Sequence, residues 1–276
     1  MLSALWYGRR PMPAADRNGS LGVIGKATSL LDELAGNGEL SAARLSERLG
    51  EPRTTVYRLI RALEQAEFVE PADQAGRYRL GLKLFRLGGV VVARFDERQA
   101  ALRHMEALHA TTGETVFLCI RRGLEAVCIE RLEGSRAVSL ALTLGGALPL
   151  HAGAAPRVLL AEQERTAWQE YYGAAGRLPP LAPPLPARAE DLFDELETVR
   201  RRGFAISDED VTVGIAAIGA PIRNHRGAVT AALSISGVRP AILGANRVRM
   251  TGLVVDAAAA VSASLGYRPA RAGSHP

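Results

Sequence analysis

Residues 52–63, Pro-Arg-Thr-Thr-Val-Tyr-Arg-Leu-Ile-Arg-Ala-Leu, restrict what this chain can become more than any other stretch. At about 100° per residue, Val56, Leu59, Ile60 and Leu63 fall on one stripe, the i, i+3, i+4, i+7 spacing of a helix laid on a core. The opposite side carries Thr54, Arg58 and Arg61. Thr55 and Tyr57 flank that side, Arg53 opens the first turn, and no acid interrupts the segment.

The neighbouring residues extend this helix into a motif. Ser41 is placed as an N-cap, with Leu40 and Leu45 spaced as a hydrophobic staple and Ala42, Leu45 and Leu49 as the apolar side of a short helix that stops at Gly50. Glu51-Pro52 restarts the chain, and proline suits the first helical position, where its missing N–H is not needed. Helix, glycine turn, helix is the arrangement whose second member enters the major groove of DNA. An earlier helix over about 22–35, with Ile24, Ala27, Leu30, Leu31 and Leu34 at helical spacing, would complete a three-helix core. Downstream, Phe68-Val69-Glu70, a turn from Pro71 to Gly76 and Arg77-Tyr78-Arg79-Leu80 predict a hairpin wing. Alternation sets Tyr78 and Leu80 on one face, and Arg77 and Arg79 on the other, within reach of a phosphate or the minor groove. The expected DNA contacts are therefore Arg53, Thr54, Thr55, Tyr57, Arg58, Arg61, Arg77 and Arg79.

The second half mixes strands and helices without βαβ repetition. Strands are expected at Thr115 to Ile120, Ala126 to Arg131, Ala137 to Leu144, Ala217 to Ile222 and Val229 to Ser236. A Pro-rich loop spans Leu178 to Pro186, and a helix lies around Asp191 to Arg201. A helix with Leu102, Met105 and Leu108 on one stripe ends at Gly113. The expected class is α+β with a largely antiparallel sheet.

Three separate stretches carry a family resemblance. "LSAARLSERLGEPRTTVYRLIRALEQAEFVE" with "GRYRLGLKLFRLGG" resembles the winged helix-turn-helix of the IclR-type transcriptional regulators. "GALPLHAGAAPRVLLA" (146–161) and "RGFAISDEDVTVGIAAIGAPIRNHRGAVTAALSISG" (202–237) are similar to the two signature stretches of that family's effector domain. The resemblance implies a winged helix-turn-helix at 20–81, a linker helix at 82–98 that contributes to dimerisation, and an effector domain at 99–266 whose sheet resembles GAF and PAS domains; outside it, residues 1–19, with Pro11, Pro13, Asp16 and Gly19, are expected as a flexible arm and the Pro- and Gly-containing 267–276 as a loose tail. It implies a regulator, a repressor in the first instance, that binds an operator in double-stranded DNA as a homodimer or tetramer and senses a small organic acid or aromatic metabolite.

The pocket for that effector is expected from three places. Leu148, Ala154 and Ala155 supply a small-residue turn whose N–H groups a ligand could approach. Ser234 and Ser236 share one face of a strand, as alternation requires, and two hydroxyls are typical orienting groups in an apolar pocket. Asp208 and Ala217 come from the remaining signature stretch. Many family members have Gly-Lys where this chain has Pro156-Arg157, and Cys where it has Ala217. An anion would be held by N–H groups, hydroxyls and Arg157.

Other classes are constrained rather than closed. A hydrolytic set of Ser234, His151 and Asp208 lacks a Gly-x-Ser-x-Gly elbow around Ser234. A repressor with no ligand input stays open, separated from the sensor by whether a ligand changes operator affinity. Cys119 and Cys128 fall on adjacent strands turning near Arg122-Gly123 and suit packing in a reducing cytosol. The five histidines show no metal-ligand spacing, so neither metal nor cofactor is expected. No run is apolar enough to span a membrane, and Met1 to Tyr7 is too short for a signal-peptide core, which implies a cytoplasmic protein. The net charge of +5 favours a polyanionic partner. Residues 1–81 carry 11 Lys plus Arg against 10 Asp plus Glu, so any DNA-facing charge there has to be local.

Overall fold

The computed structural model describes residues 22–92, 96–135, 141–175 and 184–268. The chain divides into two compact units, Met1–Arg94 and Phe95–Pro276.

The first unit opens with α1 (Val23–Asn37), followed by β1 (Leu40–Ser41), α2 (Ala42–Leu49), α3 (Arg53–Gln65), β2 (Val69–Pro71), β3 (Arg77–Leu80) and α4 (Leu82–Val92). Ser41 Oγ accepts the Arg44 N–H at 3.3 Å and so satisfies one of the free donors at the start of α2. Gly50 ends that helix at φ 65°, a left-handed conformation that a residue without Cβ adopts cheaply. Pro52 is the N-cap of α3, with φ −56° and ψ 142°, and stands one place before the expected first helical position. Leu30, Leu34, Leu45, Val56, Ile60 and Val69 are buried in one core, with Tyr78 and Leu80 of the wing packed on it. Ile24 is a correction. It lies 84% exposed beside Val23, because the buried stripe of α1 starts further along, at Leu30 and Leu34.

The wing is antiparallel, with Val69 opposite Leu80 and Pro71 opposite Tyr78, and β1 adds a third strand on the far side of β3. Helix α4 continues directly from it and ends at Val92, and a separate helix, α5 (Asp96–Thr112), begins the second unit.

After α5 come β4 (Thr115–Arg122), β5 (Glu125–Leu132), β6 (Ala147–Pro149), α6 (Ala154–Ala161), α7 (Arg165–Ala175), α8 (Ala189–Arg202), β7 (Ala205–Asp208), β8 (Ile215–Arg223), β9 (Val229–Val238), α9 (Arg239–Leu243) and α10 (Arg247–Ser264). The strands form one antiparallel sheet in the order β6-β5-β4-β9-β8-β7. Val116, Leu118, Ile218, Leu233 and Ile235 point from one face into a core with Met105 and Leu108 of α5 and Val254 and Val261 of α10. The other face carries α6, on which α8 packs. Trp168 of α7 donates its indole N–H to Leu160 O at 2.8 Å, and the Arg200 guanidinium lies 4.6 Å from its ring, so the outer helices are fixed to α6.

Cys119 and Cys128 face each other across β4 and β5, fully buried. Their mutual contact, then burial, push the Cys119 thiol well up, which keeps it an inert packing group. The expected strand at Ala137 to Leu144 lies largely outside the described residues, and 141–144 are not strand. Most of the Pro-rich loop, the whole 1–19 arm and the 269–276 part of the tail also lie outside them. Among the described residues no helix is long and apolar enough to cross a membrane.

Candidate DNA-binding surface and effector pocket

Helix α3 buries Val56, Leu59, Ile60 and Leu63 and thereby turns Arg53, Thr54, Tyr57, Arg58 and Arg61 outward, with Thr55 half-buried. Tyr57 is 50% exposed. Among the described residues Arg53, Arg58 and Arg61 form no ion pair, whereas Arg44, Arg48 and Arg79 in the same unit pair with Glu47, Glu33 and Glu70. The positive charge of a nearly neutral unit is thus left uncompensated on one helix face, where a phosphate backbone would meet it.

The wing arginines differ. Arg77 is exposed, with one weak contact to Glu39 O at 3.4 Å. Arg79 is held by Glu70 at 2.8 Å, Asp73 at 3.6 Å and Glu39 at 3.9 Å; the hydrogen bond to Glu70, then Asp73, raises its pKa further. Its charge is balanced within the hairpin.

The second unit brings six of the seven expected effector residues to one cavity. Strand register does most of this: Ser207, Ala217 and Ser236 form one cross-strand row, and Gly219, Ser234, Phe117 and Arg131 form the next, all on the α6 face. Ala217, Ser234 and Ser236 line the cavity from this floor; Ala154 and Ala155 roof it and Leu148 closes one side. Ala154-Ala155 is a helix start, not the expected turn, with Gly153 as N-cap at φ 88°. Among the described residues the N–H groups of Ala154 and Ala155 have no hydrogen-bond partner, and Pro156 at the third position has no N–H to offer. The cavity therefore meets the positive end of α6. Ser236 Oγ–H is given to Ala216 O at 3.2 Å, while Ser234 is buried with its hydroxyl toward the cavity.

Asp208 is the exception. Alternation along β7 turns Ser207 inward and Asp208 outward, where Arg239 grips it with two bonds of 2.6 and 3.0 Å; the hydrogen bond to that guanidinium holds its carboxyl below the usual range. The polar hub of the pocket is Asp210, which the residue pattern did not single out. It accepts the Gly153 N–H at 3.2 Å, the Ser207 hydroxyl and the Arg157 guanidinium, and so pins the loop bearing Val211 and Thr212 to the start of α6. Arg157 is committed to structure, not to an anion. Besides Asp210, it donates to His151 O at 3.1 Å, Ile206 O at 2.8 Å and Glu195 at 2.7 Å. His151 in turn meets Tyr171 Oη at 2.6 Å and Asp208 is turned outward to Arg239, so the two are not arranged with Ser234 as a hydrolytic set.

The cavity measures about 60 Å³. A cavity needs at least roughly 10–15 Å³ by this measure to hold one water, and pockets for drug-sized ligands run to roughly 300–1,000 Å³, so the space suits a compact molecule.

The comparisons agree with this architecture. Residues 23–73 match the IclR helix-turn-helix domain, and residues 90–263 match the bacterial transcriptional regulator IclR C-terminal domain. The HTH-type transcriptional regulator KipR of Bacillus subtilis is 32% identical over 245 residues, 89% of this chain and 97% of the relative. The HTH-type transcriptional repressor AllR of Escherichia coli is 33% identical over 84% of this chain and 85% of its own length. An IclR homologue of Microbacterium hydrocarbonoxydans, solved with 4-hydroxybenzoate, superposes with a TM-score of 0.74 at 25% identity, over 88% of this chain and 98% of the other. Helix-turn-helix, antiparallel sheet and family models coincide along the sequence, and this chain belongs to the IclR family of bacterial transcriptional regulators.

Proposed function

We propose that this regulator is a repressor that reads a paired operator with α3 and changes its operator affinity when a compact organic acid enters the cavity under α6. The observation that carries this reading is the convergence of Leu148, Ala154, Ala155, Ala217, Ser234 and Ser236, from three distant stretches, on one cavity at the free N–H end of a helix. The N–H groups of Ala154 and Ala155 would take a carboxylate, and the Ser234 hydroxyl would orient the remainder of the ligand. The cavity size favours an aliphatic acid over a ring as large as 4-hydroxybenzoate. No side chain in this account performs turnover, and a chromosomal target puts the protein in the cytoplasm.

The protein acts as a homo-oligomer. Leu82, Phe85 and Val90 are 68%, 78% and 60% exposed on a single helix, and a face this apolar is ordinarily covered by a partner. A second copy reading the second half-site meets that requirement.

The test is operator affinity of the full-length protein, on a fragment recovered by chromatin immunoprecipitation, titrated with carboxylic acids of two to four carbons and with 4-hydroxybenzoate. Saturating effector should move affinity about 5- to 150-fold. Ser234→Ala with Ser236→Ala should weaken the response and leave ligand-free DNA binding intact. Unmoved affinity with every acid would favour a ligand-insensitive repressor.

A further inference from the structure

Thr54, Tyr57, Arg58 and Arg61 lie within an arc of about 100° on α3, and all four are exposed. Among the described residues none of the four has a side-chain hydrogen bond or ion pair, so each can meet DNA without breaking a contact. Glu64 and Gln65, the acid and the amide of α3, stand in its last turn, about 15 Å along the axis from Thr54. A recognition helix reaches base edges with its N-terminal residues, which leaves those two outside the reading surface.

The chemistry of the arc is selective. In the major groove adenine presents an acceptor beside a donor and is matched by Asn or Gln, and the amino group of cytosine is matched by Asp or Glu. Neither match is available among these four side chains. Guanine presents two acceptors, N7 and O6, which one guanidinium bridges, and thymine presents a methyl group that takes an apolar contact. Arg58 and Arg61 supply the first. Thr54 and Tyr57, three apart and so adjacent on the helix surface, supply the second with a methyl and a half-exposed ring. The two arginines stand about 4.5 Å apart along the helix axis, against roughly 3.4 Å between base pairs.

We propose that each operator half-site carries two guanines about one or two base pairs apart, read by Arg58 and Arg61, and a neighbouring thymine whose methyl group packs on Tyr57. Adenine and cytosine are then specified only as the partners of the bases that α3 reads. This assignment rests on α3 being the operator-reading helix and adds which bases it selects; it does not depend on the cavity under α6 binding anything.

Selection of duplexes from a random library by the full-length protein, followed by binding to the selected duplex carrying base analogues, tests it. The selected half-site should contain the guanine pair and the thymine. 7-Deazaguanine, which lacks the N7 acceptor and still pairs with cytosine, should weaken wild-type binding about tenfold at either guanine. At the guanine read by Arg58 it should have no further effect on Arg58→Ala, and likewise at the other guanine for Arg61→Ala. Deoxyuridine, which lacks only the methyl group, should weaken wild type about fourfold and leave Tyr57→Ala unaffected. A thermal melt would show that these variants at exposed positions are folded. If Arg58→Ala with Arg61→Ala keeps wild-type affinity, α3 does not read the operator and both readings fall. If that variant loses affinity but the half-site lacks the guanine pair, or the analogues weaken wild type and variants alike, α3 binds the operator and the base assignment alone is overturned.

Discussion

Gly219 of β8 stands directly opposite Ser234 of β9, and the backbone of Ala154-Ala155 fills the space above it: a Cβ on Gly219 would lie 2.9 Å from Ala155 N. The first turn of α6 can approach the sheet this closely only because that position has no side chain. Gly219→Ala should therefore cost about 1–3 kcal/mol by overpacking and, in urea denaturation, lower the midpoint without changing the slope. Unchanged stability would mean that α6 does not press on β8 in solution.

Arg157 should behave as a structural clamp. Its side chain is 9% exposed and that of Asp210 19%, so Arg157→Ala leaves a largely buried carboxylate unpaired, at a cost of about 3 kcal/mol. The Glu195 bond, at a 40% exposed carboxylate, adds little. A double-mutant cycle of Arg157→Ala and Asp210→Asn measures the pair, and a coupling near zero would contradict the clamp.

Tyr171 supplies a pH test. Burial raises its pKa to about 12 from the usual 10, against the backbone hydrogen bonds of His151 and Leu150 that lower it. The folded state thus favours the protonated phenol, and the stability this contributes is present below pH 10 and lost as pH rises toward 12. In denaturation series over that window, wild type should lose stability more steeply than Tyr171→Phe. Parallel profiles would show that Tyr171 ionises normally.

The two wing arginines should separate in salt titrations of operator binding. Arg77→Ala should lower the slope of log K against log salt by roughly 0.9, the loss of one phosphate contact. Arg79→Ala should change it little, because Glu70, Asp73 and Glu39 already balance that charge. Equal losses would mean that Arg79 leaves its carboxylates on DNA.

The DNA-binding half was legible because its signals are local. Ser41 and Gly50 punctuate α2, and the apolar stripe of α3 alone decides which residues face out. The pocket was legible only where strand alternation reaches, as at Ser234 and Ser236. The same alternation applied to Ala205–Asp208 would have sent Asp208 outward, but β7 is too short to announce itself as a strand. Asp210 and the spent state of Arg157 arise from contacts across 53 positions of sequence, which no pattern encodes. Helix α10 was missed because alanine and valine surround it on most sides and blur the stripe of Met250, Val254, Ala258 and Val261.

The central claim is that the uncompensated arginines of α3 read the operator. Footprinting and salt-titrated binding with wild type and the Arg58→Ala, Arg61→Ala double variant test it most directly. Each arginine should contribute about 1–3 kcal/mol if it makes a bidentate base contact, so the double variant should lose the specific footprint while keeping its fold. A double variant that protects the same site with wild-type affinity would contradict the account.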